Sequence, residues 1–247
     1  MSLWADRTYM IIGASSGMGK CVAEYLTQEM GANVVLVARR QKIIEEMAVR
    51  LPGDNFAIPC DVKELGKIEN IFVECESKGI CLNGLIYSAG VAPLCTLKDN
   101  NTEEMLDAMK VNALGFAEVA KQMLNTECFE ENASVVAISS TVSQVTTNRQ
   151  SAYAASKTML NTYVKFFAKE ALGKFRVNAI IPAAVETEMY QKLRTQSDNL
   201  DEKTKRSQPL GIIPVDRVAK VVKFLLSDDS DYMTGSFLVL DGGYLLK

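Results

Sequence analysis

Seven short apolar runs recur along this chain, separated by longer stretches of helical periodicity. The runs are Tyr9–Ile12, Asn33–Val37, Phe56–Pro59, Leu85–Tyr87, Val135–Ile138, Val177–Ile181 and Phe237–Leu240. A strand with one wet face alternates apolar and polar residues; these do not, so both faces of their sheet must be covered. The helical patterns between them are Met18–Met30, Lys42–Leu51, Glu64–Ser77, Glu103–Asn125, Ala152–Gly173 and Val215–Leu226. Such alternation builds right-handed βαβ units. The expected fold is a single α/β domain over residues 1–247, a Rossmann-like doubly wound sheet of about seven parallel strands with helices on both faces. Ligands bind such sheets at the carboxyl ends of the strands. One polar stretch, residues 188–214, breaks the alternation after a strand end on that edge. It reads as a substrate lid, or as a plain surface excursion with short helices of its own.

Composition excludes several functions. The net charge is −3 with no basic patch, so no nucleic acid is expected as a partner. No apolar run approaches the ~18 residues of a membrane span, and Met1 to Tyr9 does not resemble a signal peptide. Six dispersed cysteines without a CxxC pair suit a reduced, cytoplasmic protein without structural zinc. The absence of histidine removes Ser-His-Asp and Cys-His hydrolysis and histidine-based metal sites, and no metal is expected.

The first strand runs into Gly13-Ala14-Ser15-Ser16-Gly17-Met18-Gly19, and a helix follows. Glycines let backbone approach a pyrophosphate, and the helix start offers it free N–H groups and a positive dipole end. The Gly-x-x-x-Gly-x-Gly spacing resembles the short-chain dehydrogenase/reductase family in its classical branch, with Ile12 where that family usually has threonine. The second strand ends in Ala38-Arg39-Arg40. The resemblance puts Ala38 at the place of an NAD-selecting aspartate, and a guanidinium beside it can clamp a 2′-phosphate. NADP(H) is therefore expected over NAD(H), held at that end by Arg39 and Arg40, with Ser15 touching the 2′-phosphate by resemblance. The resemblance also brings Asp61 and Val62 to the adenine and Ser88, Ala89 and Gly90 to the cofactor. Pro182, Ala183, Val185 and Thr187 fall at the nicotinamide carboxamide. Tyr87 and Ser88 replace two usual asparagines, and Ala183 a usual glycine.

Tyr153-Ala154-Ala155-Ser156-Lys157 places a phenol and an ammonium one helical turn apart. An ammonium there favours the phenolate and lowers the tyrosine pKa. Ser140 precedes Tyr153 by 13 residues, the family's serine–tyrosine spacing, with Ser139 the competing choice. Asn112, in Val111-Asn112-Ala113, stands where the family has its fourth catalytic residue. The resemblance implies that Ser140 binds a substrate carbonyl oxygen, Tyr153 protonates it and Lys157 binds the nicotinamide ribose. Asn112 then holds a water leading to Lys157. It spans Tyr9 to Gly243 and is nearest to the 3-oxoacyl-carrier-protein reductase branch. The expected partner is a small carbonyl or alcohol substrate, and the expected assembly a homotetramer (or homodimer) through the two longest helices. An NAD-dependent alcohol dehydrogenase and a catalytically silent NADP-binding regulatory protein are the rival readings.

Overall fold

The computed structural model describes residues 4–195 and 198–246. The seven strands are β1 (Thr8–Ile12), β2 (Asn33–Ala38), β3 (Phe56–Pro59), β4 (Leu82–Tyr87), β5 (Phe129–Ile138), β6 (Phe175–Pro182) and β7 (Phe237–Leu240). They form one sheet in the order β3-β2-β1-β4-β5-β6-β7, every neighbouring pair parallel. The chain winds outward from β1 to β3, then crosses back to place β4 on the other side of β1. The gap between the carboxyl ends of β1 and β4 is the topological switch point where such sheets bind ligands.

The helices are α1 (Gly17–Gln28), α2 (Gln41–Arg50), α3 (Glu69–Ser77), α4 (Thr102–Met109), α5 (Gly115–Asn125), α6 (Ser151–Glu170), α7 (Glu188–Arg194), α8 (Leu200–Ser207) and α9 (Val215–Leu226). Side chains alternate across each strand, so every strand feeds two cores. Met10 and Ile12 pack with Tyr87, Phe116, Leu160 and Phe167 on the side of α3, α5 and α6. Tyr9 and Ile11 pack with Leu26, Ile44, Val222 and Leu225 on the side of α1, α2 and α9.

Two sequence expectations are corrected. The pattern Glu103–Asn125 is not one helix: α4 and α5 are joined by a π turn at Lys110–Leu114, with Asn112 inside it. The pattern Glu64–Ser77 opens with a 3₁₀ turn at Leu65–Lys67 before α3 begins. The stretch 188–214 holds two short helices of its own, α7 and α8; residues 196–197, between them, lie outside the described residues, as do 1–3 and 247. Tyr190 gives its fold a reason. Its hydroxyl meets Thr204 Oγ1 at 2.9 Å and Asp201 Oδ1 at 3.1 Å, while Arg194 pairs with Asp201 at 3.0 Å and Glu186 at 2.8 Å.

Candidate active site

A cleft of about 570 Å³ opens at the switch point. Its floor is the turn after β1. Gly13 has φ +91°, and a Cβ there would sit 2.5 Å from the Ala89 backbone nitrogen. A Cβ on Gly19 would run into the Gly13 carbonyl oxygen, so α1 rests on the loop only because residue 19 has no side chain. Two backbone bonds lock the loop to the sheet: Gly13 N–H donates to Val37 O at 2.8 Å, and Ser88 N–H to Ile12 O at 2.8 Å. Ser16 caps α1 in extended backbone without a side-chain bond, and the first turn carries no acid. Its N–H groups and positive dipole end are thus left to an anion. This is a cradle that a Cβ would fill and a pyrophosphate fits.

Gly13, Ser15, Ser16, Gly17, Met18, Arg39, Arg40, Asp61, Val62, Ser88, Ala89, Gly90 and Thr187 all line this cleft. At the β2 end, Ala38 is buried, and no acid follows it. Arg40 Nε donates to Ser15 Oγ at 3.1 Å, which joins the basic corner to the phosphate loop. Arg39 is largely exposed and meets Asp61 only at 3.9 Å, so its guanidinium is available to a ligand. Cys60 also lines the cleft, and burial pushes its thiol up to about 11, so it is no nucleophile near neutrality.

The two serines at the carboxyl end of β5 have different partners. Ser139 Oγ turns back to Asn161 Oδ1 at 2.6 Å. Ser140 caps the short 3₁₀ turn Thr141–Ser143, its Oγ accepting from Val142 N–H at 3.4 Å. Burial raises the Tyr153 pKa, and the Ser140 hydroxyl only partly opposes it. The sequence expectation of a phenol depressed by Lys157 is therefore not what this structure shows. Lys157 is 4% exposed, lies 5.9 Å from the Tyr153 ring centroid and donates to Ile138 O at 2.8 Å. Burial without a carboxylate partner lowers its own pKa to about 7. A lysine near half charge cannot strongly stabilise a phenolate beside it.

Asn112 is fully buried in the π turn. Its Oδ1 accepts from Val91 N–H at 2.8 Å, and its Nδ2 donates to Val91 O and to Ser156 Oγ, both at 2.8 Å. Gly90 connects this cluster to the cleft, since a Cβ on it would lie 3.4 Å from Asn112 Oδ1 and 3.6 Å from Lys157 Nζ. The buried amide and ammonium thus stand directly behind backbone that lines the cleft.

Beyond β6, Pro182 pairs with Leu240, and Ala183 N–H donates to Leu240 O at 3.1 Å. Val185 is buried against Ile213, and Thr187 caps α7 through Tyr190 N–H. Glu188, Met189 and Lys192 of α7 line the cleft and were not singled out individually by sequence reasoning. The available signal was Thr187 followed by Glu188, a cap and a first-turn acid that announce a helix. Gln208 was missed altogether. Its buried amide brackets Ala184, accepting from its N–H at 3.0 Å and donating to its carbonyl at 3.1 Å, and so ties the end of α8 to the end of β6. Between β4 and α4, Cys95 N–H donates to Arg149 O at 2.9 Å, which ties that loop to the residues before α6, and Arg149 itself has φ +63°.

Among the described residues no group of acids and cysteines is placed to hold a metal, and no helix is long and apolar enough to cross a membrane.

A family model described as enoyl-(acyl carrier protein) reductase matches residues 13–245. A 3-oxoacyl-[acyl-carrier-protein] reductase of Bos taurus is 34% identical over 98% of this chain and 99% of its own. Carbonyl reductase family member 4 of Xenopus laevis is 31% identical over 96% of this chain and 97% of its own. Among solved structures, a short-chain type dehydrogenase/reductase from Mycobacterium ulcerans superposes with a TM-score of 0.90 at 26% identity, over all of this chain and 92% of that one.

Proposed function

This chain belongs to the short-chain dehydrogenase/reductase family, and from that premise we propose that it is a cytoplasmic NADPH-dependent carbonyl reductase whose proton donor is Tyr153. It is an oxidoreductase of carbonyl and hydroxyl groups that works with a nicotinamide cofactor. The observation that supports this reading best is the position of Lys157 and Asn112 behind Gly90, with the Lys157 ammonium 5.9 Å from the Tyr153 ring.

The N–H groups at the start of α1 and the loop Gly13–Gly19 bind the pyrophosphate. Arg39, Arg40 and Ser15 bind the 2′-phosphate, and Asp61 and Val62 the adenine. Ser88, Ala89 and Gly90 supply backbone along the cleft. Pro182, Ala183, Val185 and Thr187 hold the carboxamide, and Lys157 the ribose hydroxyls. When bound, the nicotinamide supplies the hydride. Ser140 donates a hydrogen bond to the substrate oxygen as charge builds there. Tyr153 gives that oxygen its phenolic proton. Burial raises the pKa of Tyr153, so the phenol holds its proton until the substrate oxygen takes it. Lys157 and Asn112 line the route by which a proton returns. Residues 188–214 form the lid, with α7 on the cleft and Gln208 as the anchor of its far end. Leu106 and Phe166, exposed on α4 and α6, belong to the surface that assembles the homotetramer, or a homodimer.

The test is a screen for NADPH oxidation across 3-oxoacyl thioesters, steroids, sugars and simple ketones, repeated with NADH. Turnover with NADPH supports the proposal. Tight NADPH binding without turnover would make the chain a silent regulatory protein, and a preference for NADH an alcohol dehydrogenase.

Arg39→Asp tests the cofactor assignment separately. It removes one charge-assisted pair with the phosphate, worth about 1.5–3 kcal/mol, and adds a like charge. The KM for NADPH should rise roughly 10- to 150-fold, while that for NADH stays level or falls. Equal losses with both cofactors would take the 2′-phosphate away from Arg39.

A further inference from the structure

Tyr87 closes β4 with its side chain wholly buried, and it has no part in the chemistry above. Its hydroxyl donates to the carbonyl oxygen of Val111 at 2.7 Å. That carbonyl lies in the π turn. In an α-helix its donor is the N–H four residues on, which belongs to Gly115. Here Gly115 N–H bonds Lys110 O instead, five residues back. The phenol takes up the acceptor that the wider turn has released. Gly115 is matched to it, because a Cβ at that position would lie 2.5 Å from the Tyr87 hydroxyl oxygen and 3.2 Å from both Lys110 O and Val62 O. Phe116 packs edge-on against the Tyr87 ring at 5.4 Å and fixes its direction.

We infer that Tyr87 is a positioning residue, whose phenol holds the turn Lys110–Leu114 in its π form and thereby fixes Asn112 against Val91 and Ser156. A buried carbonyl without a donor is costly, so removal of the hydroxyl sends Val111 O back to Gly115 N–H and draws the turn toward α geometry. Asn112 is the next residue, and its amide then loses its aim at Val91 and at Ser156, the neighbour of Lys157. Burial holds the phenol well above its ordinary pKa, so it stays a neutral donor at every working pH.

The consequence for turnover rests on the proposed carbonyl reduction; the consequence for the backbone does not. Tyr87→Phe keeps the ring and deletes only the hydroxyl. Amide hydrogen exchange over residues 110–116 should quicken about tenfold, with exchange in the central strands unchanged. On the intact enzyme kcat should fall about 10- to 100-fold, with the NADPH dissociation constant within about twofold of the parent. The limb of the kcat–pH profile that reports Lys157 should shift as well, which loss of packing alone does not cause. Gly115→Ala drives a methyl into the phenol, and adding Tyr87→Phe to it should restore part of the lost thermal stability.

Unchanged exchange over 110–116 would overturn the inference. So would a lower melting temperature with kcat and pH profile of the folded protein intact. If the parent reduces no carbonyl yet exchange quickens in the variant, the brace stands and the proposed reaction falls.

Discussion

Tyr153→Phe is expected to lower kcat about a thousandfold, within the 10²–10⁴ range of a lost general acid, while NADPH binding holds within about threefold. The substitution removes one oxygen and its proton and leaves the ring in place. The Tyr153 backbone carbonyl still accepts from Ser156 Oγ at 2.7 Å, so the helix turn that carries it keeps its bond. Ser140 retains its contact with Val142 N–H and continues to present a donor to the substrate oxygen. Residual turnover should therefore come from Ser140 and from the alignment of the two reactants. Fluorescence titration of NADPH together with steady-state kinetics on the best substrate measures both halves of the result. A Phe variant as fast as its parent would remove Tyr153 from the chemistry, and the proposed reaction with it.

Lys157→Met is expected to abolish turnover and yet raise thermal stability. Lys157 is almost wholly buried, and its ammonium has a carbonyl, not a carboxylate, as its partner. Burial takes its pKa from 10.5 to about 7 in the folded chain. Between those two values the unfolded chain binds more protons, so the stability of the parent rises with pH from about 7 toward 10.5. Below pH 7 the full cost of burying the charge is present, on the order of 4–5 kcal/mol at 1.36 kcal/mol per unit. Methionine carries no charge and fills much of the same volume; the Ile138 carbonyl left without its donor returns about 1–3 kcal/mol of that gain. The melting-temperature advantage of the variant should thus be flat below about pH 7 and shrink steadily toward pH 9 and above. Thermal scans of both proteins at pH 6, 7, 8 and 9 measure it. An advantage that grew with pH would mean that the folded ammonium is stabilised rather than penalised. A stable, inactive Met variant would locate Lys157 among residues kept at the expense of the fold.

The seven strands were legible because the signal is local. A run such as Met10-Ile11-Ile12 states by itself that both of its faces are dry, and all seven runs became strands of the parallel sheet. The phosphate loop was legible for a related reason: Gly13 and Gly19 stand where any side chain collides with backbone. The preference for Ser140 over Ser139 rested on resemblance in the sequence; that Ser139 Oγ is taken up by Asn161, 22 residues away, could not be read there. The places of Met189 and Lys192 on the cleft were illegible because nothing in a charged stretch says which face of a short helix will meet it.

What the sequence determined alone follows from short-range periodicity and steric demand. That covers the strand–helix alternation, the glycine turn after β1, the missing acid after Ala38 and the one-turn spacing of Tyr153 and Lys157. The tertiary structure decided what depends on groups brought together from afar. It broke Glu103–Asn125 with a π turn, because a phenol from β4 needs the space at Gly115 and the carbonyl of Val111. It also reversed the sign of the Tyr153 shift, because spacing along a helix brings an ammonium near, whereas desolvation, set by the whole surrounding fold, determines how much of its charge survives.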